Sequence, residues 1–499
     1  MKAFELGSHV RLTDLWEVAV GGRKVRFGTA ARARTARAKR SLERALSSGR
    51  PVYGVNTGFG ELASTRIPLD SIRTLQRNLL LSHACGVGEP LSEAEARGIL
   101  FLRANELARG YSGCRPLLVE RLAAMLNRGV LPWIPSRGSV GASGDLAPQA
   151  HAALPLIGEG RAFFRGRVMS GAGAMRAAGL KPLTLDAKEG LSLINGTQTM
   201  QSVGGLALLR AKRVCAAADL AGAASLEAIQ GTPVPYDARL SRVKAHPGQV
   251  KTAARMRRLL AHSEIRESHR DDDERVQDPY SLRCIPQVHG AVIDALEAGR
   301  RTVEIEMGSV TDNPLIFGKE LLSGGNFHGQ ALSLAFDGAA QAMTVLGGIS
   351  ERRIFQVVSQ GGPGLPAFLA GNPGLESGFM IPQVTAAALV SENKTLAHPA
   401  SSDSVPTSAN KEDFVSMGMW AALKLGLIIE NTAHVISIEL LAATQGLEFH
   451  KPLRPGRGVA ELYRRLRRHV KPLRGDEPLA ERIETTQRLI LLDYFGGII

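Results

Sequence analysis

Residues 201–230 read QSVGGLALLRAKRVCAAADLAGAASLEAIQ, a run rich in alanine and leucine that contains no proline. Two further segments, 328–360 and 412–446, have a similar length and composition. Glycines inside these segments, such as Gly204, cost some helix stability but permit close packing between helices. Because such helices exceed the usual length in globular proteins, the pattern is typical of a bundle of long, nearly parallel helices.

The regions before and after these segments have a different pattern. Residues 1–200 mix short helical patterns with glycine-rich loops, and strand signals are weak apart from a short hairpin expected near residues 162–168. Prolines interrupt the chain after Phe449, and shorter basic helices follow. The sequence therefore predicts a mainly α protein with three regions: a loop-rich N-terminal part at 1–200 that carries the active-site loops, a central long-helix bundle at 201–448, and a basic helical C-terminal region at 449–499.

Composition and cysteine usage indicate a soluble cytoplasmic protein. Hydrophobic residues make up 44% of the 499 residues and charged residues 22%, as in soluble globular proteins. The N-terminus lacks the charged-then-apolar pattern of a signal peptide, and four cysteines without a CxxC pair fit a reducing compartment. The most apolar long stretch, Val415 to Leu447, carries Lys424 and Glu439, so we interpret it as a buried helix and not as a membrane span.

The net charge of +14 is concentrated in two segments. Residues 21–50 contain ten Lys/Arg and one acid, and residues 451–474 contain nine and one. Because no zinc finger, RNP signature or helix-turn-helix pattern accompanies them, solvated basic faces are favoured over nucleic-acid binding. The histidines show no HExxH pattern, and the acidic run at 271–274 is favoured as a solvated loop over a cation site. The sequence thus predicts no metal and no nucleic-acid partner.

Five residues, Gly141-Ala142-Ser143-Gly144-Asp145, can build an electrophile from their own backbone. If the amide nitrogen of Gly144 attacks the carbonyl carbon of Ala142, a five-membered ring closes over Ser143. Loss of water from the ring and loss of the Ser143 hydroxyl then leave an exocyclic methylidene group that an amine can attack. Gly144 has no Cβ to block its nitrogen, and no standard side chain is an electrophile of this kind.

The same five residues have two simpler interpretations. Short Gly-Ala-Ser-Gly runs are common turns, so these residues alone favour a turn. A serine-hydrolase elbow needs glycine two residues after the serine, where Asp145 stands. A second segment favours the electrophile over a simple turn. Gln277, Tyr280 and Arg283 are spaced to share one helical face, and an arginine can hold a carboxylate by a two-pronged hydrogen bond. Together the two segments describe a site for an amino acid.

Nine segments of the chain match a known enzyme family. They are YGVNTGFG at 53–60, LQRNLLLSHACGVG at 75–88, GSVGASGDLAP at 138–148, LINGTQ at 193–198, VQDPYSLRC at 276–284, VTDNPL at 310–315, SGGNFHGQ at 323–330, SGFMIPQ at 377–383 and PTSANKEDFVSMG at 406–418. In this order they closely resemble the aromatic amino acid ammonia-lyases and aminomutases that use a methylidene-imidazolone group, and the histidine-specific lyases above all. The resemblance covers nearly the whole chain. It implies an almost entirely helical fold with a central bundle, and a homotetramer whose active sites combine loops from several subunits.

The resemblance also implies roles for individual residues. Ala142, Ser143 and Gly144 would form the prosthetic ring, a 4-methylidene-imidazol-5-one, so no external cofactor is expected. Tyr53 would be the base that removes the β-proton of the substrate. The other expected positions are Asn195 and Gln277 near the ring and substrate, Tyr280 beside the ring, Arg283 on the substrate carboxylate and Phe327 in the pocket lining.

Two residues bear on the choice of substrate. His83 would contact a substrate imidazole, although some tyrosine lyases also have histidine here. Glu412 matches the histidine lyases, and a carboxylate can accept the N–H of an imidazole. Phenylalanine and tyrosine lyases usually read Asn-Gln-Asp in this segment. Lys411 stands where glutamine is usual and Phe414 where histidine lyases usually have histidine. We expect Phe414 to pack behind Glu412 without entering the pocket.

The leading interpretation is the non-oxidative deamination of L-histidine to trans-urocanate and ammonia. A lyase or 2,3-aminomutase that acts on tyrosine is the close alternative, and the sequence leaves open whether the ammonia departs or re-adds. A helical-bundle interaction protein that has lost catalysis is the third interpretation. Intact Tyr53, Ser143 and Arg283 argue against it.

Overall fold

The computed structural model describes residues 1–49, 51–58, 60–271, 273, 275–359 and 362–498. Two members of the acidic run, Asp272 and Glu274, lie outside the described residues. Helix accounts for 59% of the protein, and the described part of the chain contains 19 α-helices. The prediction of a mainly α fold is therefore confirmed.

Most of the helices are short, and four of them exceed twenty residues. In chain order they are α1 Leu12–Ala19, α2 Thr29–Ser47, α3 Ile72–His83, α4 Glu93–Leu107, α5 Pro116–Arg128, α6 Leu146–Ala153, α7 Gly171–Ala177, α8 Glu189–Ile194, α9 Gln198–Ala228, α10 Ala238–Val243, α11 Pro247–Leu259, α12 Glu264–Glu267, α13 Tyr280–Arg283, α14 Ile285–Met307, α15 Gln330–Val358, α16 Met380–Leu396, α17 Gly418–Gly446, α18 Arg457–Arg467 and α19 Ala480–Leu491. The long ones are α9, α14, α15 and α17.

The strands are short and form small, separate sheets. They are β1 Phe4–Glu5, β2 Val25–Arg26, β3 Val87–Pro90, β4 Leu131–Pro132, β5 Pro135–Arg137, β6 Arg161–Phe164, β7 Arg167–Ser170, β8 Leu315–Phe317 and β9 Glu320–Leu322. β1 pairs with β2 in parallel; β3 with β5, β4 with β6, β6 with β7, and β8 with β9 are antiparallel. The hairpin predicted near 162–168 is confirmed as β6 and β7, with Ala162 opposite Met169.

The three predicted long segments correspond to α9, α15 and α17. The third was predicted from residue 412, but α17 begins only at Gly418. Met417 has a φ of +53°, which lies outside the right-handed helical region, so the helix cannot extend through it. The predicted close packing at glycine also holds, since a Cβ on Gly204 would lie 2.1 Å from the Phe336 ring.

The chain forms two compact units, each assembled from separate segments. The first consists of Met1–Leu206, Arg300–Asp337 and Pro399–Leu423. The second consists of Ala207–Gly299, Gly338–His398 and Lys424–Ile499. All the strands of the described residues belong to the first unit, which also contains α1 to α8.

A buried polar network joins the long helices within the second unit. Glu439 on α17 accepts hydrogen bonds from Arg353 Nε at 2.5 Å and from Ser225 Oγ on α9 at 2.8 Å. On α14, His289 Nδ1 lies 2.8 Å from a carboxylate oxygen of Asp219, again on α9. Burial lowers the pKa of His289. Because the buried charges are paired, they fix which faces of the four helices meet in the bundle.

The apolar composition of α17 reflects this packing. By length and composition both α15 and α17 are capable of crossing a membrane, but 72% of the most apolar window of α17 is buried inside the protein. Lys424 is buried as well, and its Nζ donates to the His398 carbonyl. The buried helix predicted within 415–447 is therefore confirmed as a core helix that spans Gly418–Gly446.

Candidate active site

A cavity of about 1130 Å³ opens in the first unit. It is lined by Ala142 and Ser143 together with residues from loops that are far apart in sequence. The residues with a site role predicted from the sequence that line the cavity are Tyr53, His83, Ala142, Ser143, Asn195, Phe327 and Glu412. These seven residues come from six separate segments of the chain.

The backbone around Ser143 leaves no room for a side chain at Gly144. Gly144 has a φ of +74°, in the left-handed region that favours glycine. A Cβ at this position would lie 1.9 Å from the Gly196 carbonyl oxygen, so a side chain is excluded. Ala142 is nearly buried, and Ser143 reaches the cavity. The nitrogen of Gly144 is therefore unobstructed by any side chain of its own.

The carbonyl oxygen of Ser143 is held by two donors. Asn195 Nδ2 donates to it at 3.1 Å, and the Gly196 N–H donates at 3.2 Å. The other amide atom of Asn195, Oδ1, is buried without a hydrogen-bond partner. An unsatisfied buried acceptor that lies beside a cavity is a place for a donor of a bound molecule, such as an amine.

Asp145 stabilises the loop that carries Ser143 through hydrogen bonds on the side away from the cavity. Its carboxylate accepts from the Met200 N–H and from Ser139 Oγ, both at 2.8 Å. Its own N–H donates to the Gly196 carbonyl at 2.8 Å. Burial raises the pKa of Asp145 to about 6, while these hydrogen bonds oppose the rise. The side chain is fully buried, so it braces the loop and does not face the cavity.

Tyr53 lies on a compact loop that borders the cavity. Its hydroxyl oxygen accepts from the Gly60 N–H at 3.2 Å. The Gly54 carbonyl accepts from Gln76 Nε2 on α3 at 3.1 Å, and the Val52 N–H donates to Asn56 Oδ1 at 2.7 Å. These bonds anchor the loop to α3 and leave the phenol at the cavity surface.

His83 and Glu412 are two titratable residues of the cavity lining. His83 ends α3, and its Nδ1 lies 3.0 Å from Ser82 Oγ. Burial lowers the pKa of His83, and the nearby Glu412 charge partly offsets this. Glu412 Oε1 accepts from Ser143 Oγ at 2.8 Å, and Oε2 accepts from Thr407 Oγ1 at 2.6 Å. A neutral imidazole and a carboxylate thus face the same space, with complementary hydrogen-bonding capacity.

The turn that carries Glu412 has an unusual backbone. Residues 408–410 all have positive φ, between 51° and 66°, although none of them is glycine. Non-glycine residues adopt this conformation at a cost, and such turns cluster at functional sites. Backbone bonds between Thr407 and Glu412 close the turn, with N···O distances of 2.9 and 3.3 Å. The strained turn therefore sets the position of the Glu412 carboxylate.

The prediction that Phe414 stays out of the pocket is wrong. Its ring lines the cavity, is 61% exposed and stacks on His328 with the ring centroids 6.0 Å apart. The physical reason lies in the next residue: Val415 is fully buried and its N–H donates to Ser404 Oγ at 2.9 Å, which leaves Phe414 on the cavity side. Lys411, the other departure from the usual pattern, also lines the cavity.

Three of the predicted site residues lie in the second unit, and they contact one another. Arg283 Nη1 donates to Gln277 Oε1, and the guanidinium lies 5.2 Å from the centroid of the Tyr280 ring. Gln277 precedes α13, so only Tyr280 and Arg283 are on the predicted helical turn. Tyr280 is 72% exposed. These side chains are not among the residues that line the cavity of the first unit.

Thr407, which is not part of the cavity lining, and Asn313, which is, are two residues of the site that had no role assigned from the sequence. Thr407 holds Glu412, and Asn313 lines the cavity. Both lie inside segments that match the family, and both are polar. That combination was the sequence signal for a role at the site, but the sequence did not show which group each residue would contact. Among the described residues, no group of three His, Cys, Asp or Glu is arranged to hold a metal ion.

Comparison with known proteins identifies close relatives of this chain. A sequence model of a family described as aromatic amino acid lyase matches residues 10–468. A histidine ammonia-lyase of Koribacter versatilis is 51% identical, over 98% of this chain and 98% of its own length. Among solved structures, tyrosine aminomutase of Streptomyces globisporus has a TM-score of 0.94 at 37% identity, covering 100% of this chain and 98% of that chain. Histidine ammonia-lyase of Trypanosoma cruzi has a TM-score of 0.92 at 38% identity, covering 100% and 95%.

Proposed function

The chain belongs to the aromatic amino acid lyase family, and from that premise we propose that it deaminates L-histidine to trans-urocanate and ammonia. As a member of the family it is an ammonia-lyase with an amino acid substrate. The observation that carries the proposed substrate is the pair of His83 and Glu412 in one cavity. An imidazole has one N–H donor and one acceptor nitrogen, which a carboxylate and a neutral histidine can match. The histidine ammonia-lyases at about 50% identity support the same substrate.

Members of the family use a prosthetic group that they make themselves. We propose that here it forms from Ala142, Ser143 and Gly144, and that it supplies an electrophile for the substrate amine. The residues present fit this group, because Gly144 carries no side chain and cannot accept one. Asn195 and Gly196 hold the Ser143 carbonyl from one side, and Asp145 braces the loop from the other. No external cofactor is needed.

The remaining steps, proton removal and substrate binding, are assigned to side chains of the cavity. Tyr53 takes the β-proton of the substrate, His83 and Glu412 orient its imidazole, and Phe327 lines the pocket. Asn195 Oδ1, which lacks a partner, accepts a hydrogen bond from the substrate amine. Proton removal and recognition thus come from loops that the fold brings to one cavity.

The carboxylate of the substrate needs a cation. We propose that Arg283 supplies it, with Gln277 and Tyr280 beside it, in a cytoplasmic homotetramer whose active sites combine loops from several subunits. The exposure of Tyr280 and its position outside the cavity lining agree with a site completed by another subunit. A tetramer mass in solution tests this arrangement, and a stable monomer with full activity would contradict it.

Arg283→Lys is expected to raise the KM for L-histidine by roughly tenfold or more. A lysine ammonium cannot reproduce the planar fork that grips a carboxylate, and a hydrogen bond to a charged group contributes about 1.5–3 kcal/mol. Steady-state kinetics measure the change. The matched control is Arg239→Lys, an exposed arginine of the second unit that pairs with Asp237. An unchanged KM in Arg283→Lys would rule out the carboxylate-binding role.

L-Histidine is expected to be preferred over L-tyrosine and L-phenylalanine by at least about tenfold in kcat/KM. Neither a phenyl ring nor a phenol has the ring N–H and the ring nitrogen acceptor that an imidazole offers to Glu412 and His83, and an unpaired buried polar group costs about 1–3 kcal/mol, more if it is charged. The three substrates are assayed side by side by the ultraviolet absorbance of each unsaturated product. Faster turnover of tyrosine would contradict the proposed substrate but would still agree with the proposed class of reaction.

A tyrosine lyase or 2,3-aminomutase is the second candidate, and the position of Phe414 is the observation that favours it. An apolar ring in the cavity lining suits a phenyl-bearing substrate better than an imidazole. The same assay with Phe414→His separates the two candidates. For a histidine lyase the variant keeps or improves the preference for histidine, whereas for a tyrosine enzyme it lowers tyrosine turnover. Chromatography of the tyrosine reaction for the β-amino acid distinguishes lyase from aminomutase.

A further inference from the structure

A buried chain of hydrogen bonds leads from Arg103 to the Gly196 carbonyl. Gln149, on α6, is 1% exposed, and Arg103, on α4, is 2% exposed. Gln149 Nε2 donates to the Gly196 carbonyl at 2.7 Å. Gln149 Oε1 accepts from Arg103 Nε at 3.0 Å and from Nη2 at 2.7 Å. Neither side chain lines the cavity, so neither can contact a substrate there.

Arg103 determines which way the Gln149 amide points. A guanidinium has only donors, so the amide oxygen must face it, and the NH₂ group must face the opposite direction. That direction is occupied by the Gly196 carbonyl. The orientation of the amide therefore follows from the chemistry of its two partners. Glu106, with a carboxylate oxygen 3.5 Å from Arg103 Nη1, balances the buried charge.

Gly196 is the link between this chain and the candidate site. Its φ is +133°, and a Cβ would lie 2.5 Å from Thr311 Oγ1, so glycine is required here. Its carbonyl is fixed by Gln149 and by the Asp145 N–H, while its own N–H donates to the Ser143 carbonyl at 3.2 Å. Because glycine has the widest backbone freedom, these partners decide where its N–H points.

We propose that Gln149 is a positioning residue: through Gly196 it aims an N–H at the carbonyl oxygen of Ser143. This inference rests on the proposed function, in which the Ser143 carbonyl is conjugated with the methylidene carbon. Addition of a nucleophile to such a conjugated double bond moves negative charge onto the carbonyl oxygen. A donor that is already oriented there stabilises the charge without reorganisation.

The test compares wild type with Gln149→Met, Gln149→Glu and Gln201→Met. Methionine removes the hydrogen bonds at nearly constant volume, and glutamate keeps the acceptor for Arg103 but removes the NH₂ donor. Gln201 is the matched control, because it is also 1% exposed and bonds to Thr197 Oγ1 at 2.8 Å, not to Gly196. Intact mass establishes that the group has formed. The rate of cyanide addition, followed by the absorbance of the group, then measures its reactivity without any substrate.

In both Gln149 variants we expect cyanide addition to slow by about tenfold, less than the hundredfold or more that removal of a direct donor costs. The absorbance maximum should shift as well, because the carbonyl loses an aligned donor, and kcat should fall more than KM changes. Gln201→Met should behave as wild type in all three measurements. Glutamate can pair with Arg103, so Gln149→Glu provides a folded variant if Gln149→Met does not fold.

Three results would overturn the proposal. One is equal cyanide addition in wild type and in the Gln149 variants. Another is equal slowing in Gln201→Met, which would mark a general packing effect. The third is a folded Gln149 variant that keeps its full encoded mass, because Gln149 would then act in ring closure instead. A wild-type protein of full encoded mass would contradict the proposed function itself. Failure of the proposed function is therefore distinguishable from failure of the role proposed for Gln149.

Discussion

Ser143→Ala is expected to abolish deamination while the protein folds normally. Alanine cannot supply the methylidene carbon, so the electrophile cannot form, and we expect kcat to fall by roughly three orders of magnitude or more. Removal of a catalytic nucleophile acts on this scale. In mature wild type the Ser143 hydroxyl has already left as water, so the variant gives up no further hydrogen bond to Glu412. Intact mass should equal the encoded mass of the variant, whereas wild type should be lighter than its encoded mass by two water molecules.

The control for this variant is Ser323→Ala, which removes the same oxygen from another serine in the cavity lining. It should keep the loss of two waters and an activity close to wild type. Substantial turnover by Ser143→Ala would mean that another group activates the amine. A wild-type mass without any loss, in protein kept folded for hours, would remove the electrophile from the mechanism altogether.

The sequence predicts a ring-forming segment because that chemistry is local. Ala142, Ser143 and Gly144 are adjacent, and the need for a glycine without a side chain follows from the ring itself. The structure adds a steric obstacle, the Gly196 carbonyl oxygen 1.9 Å from the position of a Cβ on Gly144. Three of the four long helices were also predictable, since a run of alanine and leucine without proline specifies them locally. The fourth, α14, was not predicted.

Contacts between residues that are distant in sequence could not be predicted in this way. Ser143 and Glu412 are hydrogen-bonded although 269 residues separate them, and no periodicity connects the two. The direction of Phe414 was predicted wrongly, because it depends on the burial of Val415 and on the bond from Ser404. Side-chain direction in an irregular turn is decided by such partners, and these belong to other segments.

The three residues at 277–283 illustrate a further limit. Their spacing predicted one shared face, and they do contact one another. The second unit contains these three residues and the first unit contains the residues that line the cavity, and their spacing gives no sign of this. The proposed tetramer, with sites made of loops from several subunits, would make their expected role compatible with this membership.

Tyr53→Phe is expected to lower kcat by roughly 10²–10⁴-fold, the contribution of general base catalysis. The β-hydrogen of the substrate is weakly acidic, so its removal needs a positioned base, and phenylalanine has no atom that can accept a proton. The change removes one oxygen and little volume. It deletes the hydrogen bond from the Gly60 N–H, which contributes about 0.5–1.5 kcal/mol. We therefore expect the proposed tetramer and the loss of two waters to persist.

A variant that has lost turnover but keeps its assembly and its prosthetic group distinguishes proton removal from the earlier steps of ring formation and substrate binding. If Tyr53 is the base, the variant should still form the prosthetic group and bind L-histidine, and its residual turnover should show a larger isotope effect with β-deuterated substrate. Tyr111→Phe removes the same phenolic oxygen from a tyrosine whose ring packs at a tilt against Phe317 outside the cavity lining, and it should keep wild-type activity. Near wild-type turnover by Tyr53→Phe would place the base elsewhere, and Glu412 is then the group to test, because its carboxylate faces the same cavity.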